Sequence, residues 1–330
     1  MSDAGAERTN GMPPPPQVYD QGMPWHFGDP LGEQRRLASG RGLVPLANRG
    51  ILAVTGPDRL GWLHSLTTQH LSGLGPHASA LALILSPQGH VEFELHLVDD
   101  GATTWIITQP GQAEPLRAYL ESMVFMLRVE VADRTGEHAV LWEPVSQPES
   151  TSPTWQVPEE FAQRGYAGRE IVLSIAEAEE RVAASEDLAG SWALEAMRVA
   201  ALMPRINCET DHRTIPNEVG WLTTAVHLDK GCYRGQETVA KVHNLGQPPR
   251  RIALLHLDGS SERPPDHGDR VLLGDRQVGW IGTGVQHYEL GPIATAILKR
   301  STSLDVELVV ESVDGSRVMA RQELMSPAGP

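Results

Sequence analysis

The rhythm of apolar and polar positions changes several times along the chain. An unbroken apolar run over 50–54 predicts a short buried strand. Thr55, Gly56, Pro57 and Asp58 follow it, with an acid three residues after Thr55 and a proline near the first helical position. That pattern predicts a helix start, and Leu60, Leu63 and Leu66 supply part of its buried stripe. A second apolar run, 80–85, ends in a turn at Ser86, Pro87, Gln88 and Gly89. Beyond it Val91, Phe93, Leu95 and Leu97 alternate with Glu92, Glu94 and His96, the two-residue period of a half-buried strand. Asp99, Asp100 and Gly101 turn the chain back into a strand over 103–108. Residues 115–123 read as a helix and 127–131 as a returning strand. Hairpins mixed with helices predict an α+β fold rather than a doubly wound α/β sheet.

The segment 144–166 carries Pro144, Pro148, Pro153 and Pro158 among serines and glutamates, and reads as a loop or insert. Residues 174–185 are Ala- and Glu-rich and predict a helix. Ser191 is positioned to cap another, running to Leu202 and stopped by Pro204. Leu194, Arg198, Ala201 and Leu202 share one face of it, so Arg198 needs an acidic partner or a ligand on the apolar side. After Pro248 and Pro249 come short strands at 251–257, 269–273, 277–283, 293–298 and 306–310. Gly, Asp and Pro separate them, as in a small antiparallel barrel. At the other end, Pro13 to Pro16 lie in a stretch with few aliphatics. The expected division is a flexible Pro-rich tail over 1–42, α+β lobes over 43–247 in two interleaved subdomains, and a β-barrel over 248–326.

Composition narrows the function classes. Asp and Glu outnumber Lys and Arg, giving a formal charge of −15 over 330 residues. Such a surface repels phosphate backbones and anionic lipids, which disfavours nucleic-acid and membrane-surface binding. No segment approaches the ~20 apolar residues of a membrane span. The first residues, with Asp3 and Glu7, lack the apolar core of a secretion signal. Two cysteines without CxxC spacing suit a reduced, cytoplasmic protein and fall short of a self-contained zinc or iron–sulfur site. The thirteen histidines form no HExxH motif, and the phosphate-loop, dinucleotide and Gly-x-Ser-x-Gly signatures are missing.

One stretch stands apart: Asp229, Lys230, Gly231, Cys232, Tyr233, Arg234, Gly235, Gln236, Glu237. Its two glycines allow a tight loop. Neighbouring cations favour the thiolate form of a cysteine such as Cys232. The chain has three lysines against 24 arginines, and Lys230 and Lys241 both fall here. Five cations against two acids over 227–251 reverse the local charge. The stretch reads either as an anion-facing patch or as a surface loop with paired arginines.

Lys-Gly-Cys-Tyr-x-Gly-Gln-Glu, from Lys230 to Glu237, resembles the motif of the YgfZ family, folate-binding paralogues of the glycine cleavage T-protein (GcvT, aminomethyltransferase). Arg198, Pro204, Glu209, Pro216 and Glu218 precede it in the family's order and spacing. Val54 to Asp58 resembles the family's first strand-to-helix turn, and Val278, Gly279, Trp280, Ile281, Gly282 and Thr283 its barrel strand. The likeness covers roughly 43–320.

The resemblance implies a GcvT/YgfZ-like ring of α+β lobes with a carboxy-terminal barrel and tetrahydrofolate, or a one-carbon derivative, in a central channel. It implies a role in making or maintaining iron–sulfur enzymes, with client or assembly proteins as partners and Cys232 as the reactive thiol. Lys230 and Arg234 would attract an anion. Gly231 and Gly235 would shape the loop, Tyr233 belongs to the motif, and Gln236 and Glu237 would anchor it. Glu218 is the expected carboxylate for the pterin edge, with Glu209 as its rival and Arg198 as a ligand or partner of either. Aligned on Gly89, a T-protein aspartate pair falls at Phe93 and Glu94, and the tyrosine of a Leu-Tyr-Gly stretch becomes Ile206. Two alternatives therefore stand beside the first reading: a folate-dependent aminomethyltransferase, and a non-catalytic adaptor with a relict folate pocket. Whether the chain is an enzyme stays open at this point.

Overall fold

A computed structural model describes residues 20–145, 150–261 and 263–323. Helix α1 (Pro30–Ala38) leads into β1 (Val44–Pro45), β2 (Gly50–Thr55) and α2 (Arg59–Leu66). Strands β3 (Ser79–Leu85), β4 (Val91–Asp99) and β5 (Thr103–Thr108) follow, then α3 (Ala113–Ser122) and β6 (Glu130–Asp133). These build an antiparallel sheet in the order β3-β4-β5-β2-β6. Strand alternation gives it two buried faces. One holds Leu52, Val54, Leu95 and Leu97 against Trp62 and Leu63 of α2 and Leu116 and Leu120 of α3. The other, with Ile51, Leu81, Leu83 and Leu85, joins the largest core.

That core is completed by a second sheet. Strands β7 (His138–Pro144), β8 (Thr154–Gln156) and β9 (Gly168–Ser174) pair in the order β1-β7-β9-β8. They bring Trp142, Trp155 and Val172 against the first sheet. Helix α4 (Glu159–Ala162) adds Phe161. Helix α5 (Ile175–Ala184) starts with a reciprocal capping box between Ser174 and Glu177. Helix α6 (Ser191–Ala200) begins at Gly190, where a Cβ would lie 2.1 Å from the Trp25 carbonyl oxygen. Glycine, not Ser191, is thus the residue before the first turn.

A 3₁₀ turn (Pro216–Glu218), α7 (Trp221–Thr224) and α8 (Gln236–Leu245) lead to the barrel. Its strands are β10 (Arg250–Leu257), β11 (Arg270–Leu273), β12 (Arg276–His287), β13 (Gly291–Lys299), β14 (Leu308–Glu311) and β15 (Arg317–Gln322). They close in the order β10-β13-β12-β11-β14-β15 around Leu255, Val271, Ile281, Leu298 and Val310. Ala196 and Val199 of α6 pack on Leu254, Val285 and Ile293 at its outside. The architecture is α+β with a closed antiparallel carboxy-terminal barrel.

Three expectations are corrected. Residues 20–42 are no flexible tail: Met23 and Leu37 enter the core, and the buried carboxylate of Glu33 accepts from the Gly190 amide at 2.9 Å. Residues 1–19, with Pro13 to Pro16, lie outside the described residues. The proline-rich 144–166 segment contributes β8 and α4, with Trp155 and Phe161 buried in the main core; Pro148 lies outside the described residues. The barrel has a sixth strand, Arg317–Gln322, whose polar composition hid it from the apolar pattern.

Candidate functional site

The motif loop is built from its glycines and its lysine. Gly235 stands before α8 with φ +79°, where a Cβ would lie 2.5 Å from the Ser86 carbonyl oxygen. Its partner Gly89 has φ +83°, and a Cβ there would lie 2.8 Å from Thr238 Cβ. Bare backbone at both positions lets α8 pack on the Ser86 to Gly89 turn. Lys230 is buried, and its Nζ donates to the carbonyls of Thr67 (2.5 Å), Gln69 (3.0 Å) and His64. These carbonyls lie at and just beyond the end of α2, which lacks intrahelical partners there. A compact ammonium with three donors meets that need, and a planar guanidinium does not. Burial draws its pKa down to about 8, while the three carbonyls favour the charged form. Nζ also lies 5.2 Å from the centroid of the buried Tyr233 ring, whose hydroxyl burial pushes up to about 12.

Lys230 therefore clamps the loop, its three donors spent on carbonyls and none on a carboxylate among the described residues. Arg234 is likewise engaged: it pairs with Glu92 at 3.1 Å and lies 5.7 Å from the Tyr119 ring centroid. Gln236 Nε2 donates to the Lys230 carbonyl at 3.3 Å and closes the loop on itself. Glu237 is exposed and anchors nothing among the described residues. Gly231 and Cys232 sit at the exposed crest between these fixed points, and Cys232 forms no disulfide.

Arg198 and Glu209 are brought together, deep inside. The guanidinium of Arg198 donates to Glu195 (2.8 Å), Glu209 (3.0 Å), Thr283 Oγ1 (2.8 Å) and the Met203 carbonyl. Glu209, fully buried, also accepts from Thr283 (2.6 Å), Thr295 (2.7 Å) and the Arg205 amide (2.9 Å). This network ties α6 to the barrel, and the Glu209 carboxylate is filled by its five bonds. Of the two roles expected of Arg198, the geometry is that of a partner to Glu209, and both side chains are turned to each other and to the barrel threonines. Cys208 lies beside it, wholly buried, with burial pushing its thiol up to about 12.

Glu218 lies apart from that hub. Its carboxylate accepts from Arg250 Nε (2.9 Å), Arg250 NH2 (2.8 Å) and the Ile215 amide (3.2 Å). Arg250 binds Asp211 as well, at 2.6 Å. On the same short stretch, Asn217 Oδ1 and Trp221 Nε1 are buried without a hydrogen-bond partner. A buried orphan acceptor and a buried orphan donor thus stand close in sequence to the Glu218 carboxylate, a set that suits a planar heterocycle offering both donors and acceptors.

Sequence reasoning missed a buried chain on β4. Glu94 Oε1 lies 3.1 Å from His96 Nε2, and His96 Nδ1 lies 2.8 Å from Glu170 Oε2 on β9. The other oxygen of Glu94 accepts from the Ile206 amide at 2.8 Å. Trp155 stacks on His96 with centroids 3.7 Å apart. Burial alone would lower the imidazolium pKa, but Glu170 and Glu94 outweigh it and hold it at about 9. The signal was the polar phase of β4, Glu92, Glu94 and His96, which resembles a solvated face. Phe93 points the other way, 5.9 Å from the Tyr119 ring. Near the motif, the His70 ring centroid lies 4.7 Å from that of His64 and 5.3 Å from that of His227. Among the described residues no group of three or more His, Cys, Asp or Glu side chains is arranged to hold a metal ion.

The arrangement of two facing sheets and a closing barrel has a match among solved structures. The aminomethyltransferase T of the glycine cleavage system from Bartonella henselae superposes with a TM-score of 0.76, covering 92% of this chain and 91% of that one at 16% identity. The chain has the fold of that T-protein. No protein-family model matches the chain. Curated relatives include the aminomethyltransferase of Rippkaea orientalis, 24% identical over 87% of each chain. The aminomethyltransferase of Shouchella clausii is 24% identical over 91% of this chain and 89% of that protein. An iron–sulfur cluster assembly factor IBA57 homolog, mitochondrial, from Mycosarcoma maydis is 23% identical over 68% of this chain and 59% of its own length. No helix among the described residues is long and apolar enough to cross a membrane.

Proposed function

We propose that the chain binds a reduced folate and supports the making or repair of iron–sulfur enzymes through the exposed thiol of Cys232. The observation that carries this reading is the construction of the 230–237 loop. Lys230, Tyr233, Gln236 and Gly235 are all committed to holding it, and Cys232 is left at its solvent crest. The Lys230 to Glu237 motif, the likeness to the IBA57 homolog and the T-protein fold support the same reading.

Glu218, Asn217 and Trp221 are the residues that would hold the pterin. A carboxylate has about four acceptor sites, so the two bonds from Arg250 and one from Ile215 leave capacity for a further donor. When bound, the folate supplies a one-carbon carrier; the protein supplies orientation through these three side chains.

Aminomethyl transfer is the second reading, favoured by the aminomethyltransferases among the relatives. It needs a carboxylate facing the reactive folate nitrogen. Phe93 supplies none, and the carboxylate next to it, Glu94, is buried against His96 and the Ile206 amide. Release of methylene-tetrahydrofolate from an aminomethylated carrier protein would establish that activity. For the leading reading, Cys232→Ala should fail to restore iron–sulfur enzyme activity in cells lacking their own copy, with folding intact. Full restoration by this variant removes the thiol from the mechanism.

A further inference from the structure

Residues 123–127 join α3 to β6 and turn apolar side chains to water. Met123 is 41% exposed, Phe125 79%, Met126 91% and Leu127 41%. The loop is firmly held. Trp62 Nε1 donates to the Met123 carbonyl at 3.2 Å. Arg128 reaches Asp58 through its amide (2.8 Å) and its guanidinium (2.9 Å). A Cβ on Gly56 would lie 2.0 Å from the Arg128 carbonyl oxygen, so this approach needs glycine. Met126 is held at φ +54°, a backbone region that a side chain such as Met disfavours. A patch of large apolar side chains fixed in this way marks a contact surface.

The tip and the Cys232 loop rest on the same two helices. Trp62 of α2 holds Met123, while carbonyls at the end of α2 hold Lys230. Tyr119 of α3 lies against Arg234. Leu228, next to the motif, is a further exposed apolar side chain, at 41%. The arginines nearest the tip and the motif are neutralised: Arg128 by Asp58, Arg234 by Glu92, and Arg117 by both Glu114 and Glu121. Glu130 and Asp229 are exposed, with no side-chain partner among the described residues. The sequence next to the tip and the sequence next to Cys232 thus each carry an unpaired acid.

We propose that this tip docks into an apolar groove, rimmed by Lys and Arg, on the protein that Cys232 serves. The inference rests on the thiol reading above and adds its partner surface. Charge decides the occupant: a second copy would bring the same carboxylates, and the −15 net charge opposes an anionic bilayer.

The test uses full-length chains in cells lacking their own copy, with iron–sulfur enzyme activity as readout. Phe125→Ser/Met126→Ser should lower activity roughly tenfold or more, as Cys232→Ala does. Tm should stay within about 2 °C, because both side chains are exposed. Tetrahydrofolate affinity should not change. Glu130→Lys/Asp229→Lys, which keeps the tip, should also lose activity, by a few fold. Wild-type activity in the tip variant beside a dead Cys232→Ala overturns the docking inference alone. Full activity in Cys232→Ala overturns the thiol reading beneath it. Sedimentation of the purified protein as a dimer, or with phosphatidylcholine vesicles, abolished in the tip variant, assigns another occupant and overturns the proposal.

Discussion

His96 Nδ1 lies 2.8 Å from Glu170 Oε2, a bond that ties β4 of one sheet to β9 of the other. It makes the junction of the two sheets sensitive to pH. His96 is held at about 9 in the folded chain, against about 6.5 for an unfolded histidine. A raised pKa stabilises the fold fully below the unfolded value and is lost as pH rises through the folded one. Tm should fall between pH 7 and 10, and His96→Gln should flatten that fall. Melting curves across this range check it; an identical slope in wild type and variant contradicts the ion pair.

Lys230→Met should lower stability by about 2–4 kcal/mol, because three carbonyls near the end of α2 lose their donor. Lys230→Arg should rescue little of it, since a planar fork does not converge on three oxygens around one nitrogen. Urea denaturation of both variants reads the difference. Equal stability of Lys230→Arg and wild type would show that charge alone suffices.

Glu209→Gln and Glu218→Gln should separate stability from binding. Glu209 serves Arg198, Arg205, Thr283 and Thr295, so its loss should cost about 3 kcal/mol and leave folate affinity unchanged. Glu218→Gln should weaken the ligand, and it also loses part of its pairing with Arg250, so its stability cost is read in the same melts. Paired melting and binding measurements on the two variants decide it; weaker folate binding in a folded Glu209→Gln would return Glu209 to the site.

Cys232 should react with a disulfide reagent in the native protein, and Cys208 only after unfolding. The first is exposed; the second is wholly buried, with its thiol pushed up to about 12. Thiol titration should therefore give one equivalent in buffer and two in guanidinium. Two equivalents in buffer would contradict the buried position of Cys208.

The first sheet was legible because its strands obey simple periods: 50–54 is continuous and 91–97 alternates, and both appear in the structure. The barrel was legible for the same reason, apart from Arg317–Gln322. What the pattern misread was polar residues facing inward. Glu94 and His96 looked solvated because alternation reports two faces but not which neighbour covers each; the covering strands come from 138–174. Arg198 was read correctly as needing a partner, yet the choice between carboxylate and ligand required Glu195 and Glu209 in space. Lys230 shows the opposite error. Its type was informative, but its destination is a helix end 160 or more residues upstream.

The central claim is tested most directly by calorimetry of tetrahydrofolate with the wild-type chain and Glu218→Gln. The account predicts micromolar binding to the wild type, weakened about tenfold or more by loss of one charged acceptor. It also predicts about 2.7 kcal/mol of added stability at ligand a hundredfold above its dissociation constant. No binding heat and an unmoved Tm for the wild type would contradict the folate site and leave Cys232 to act without it.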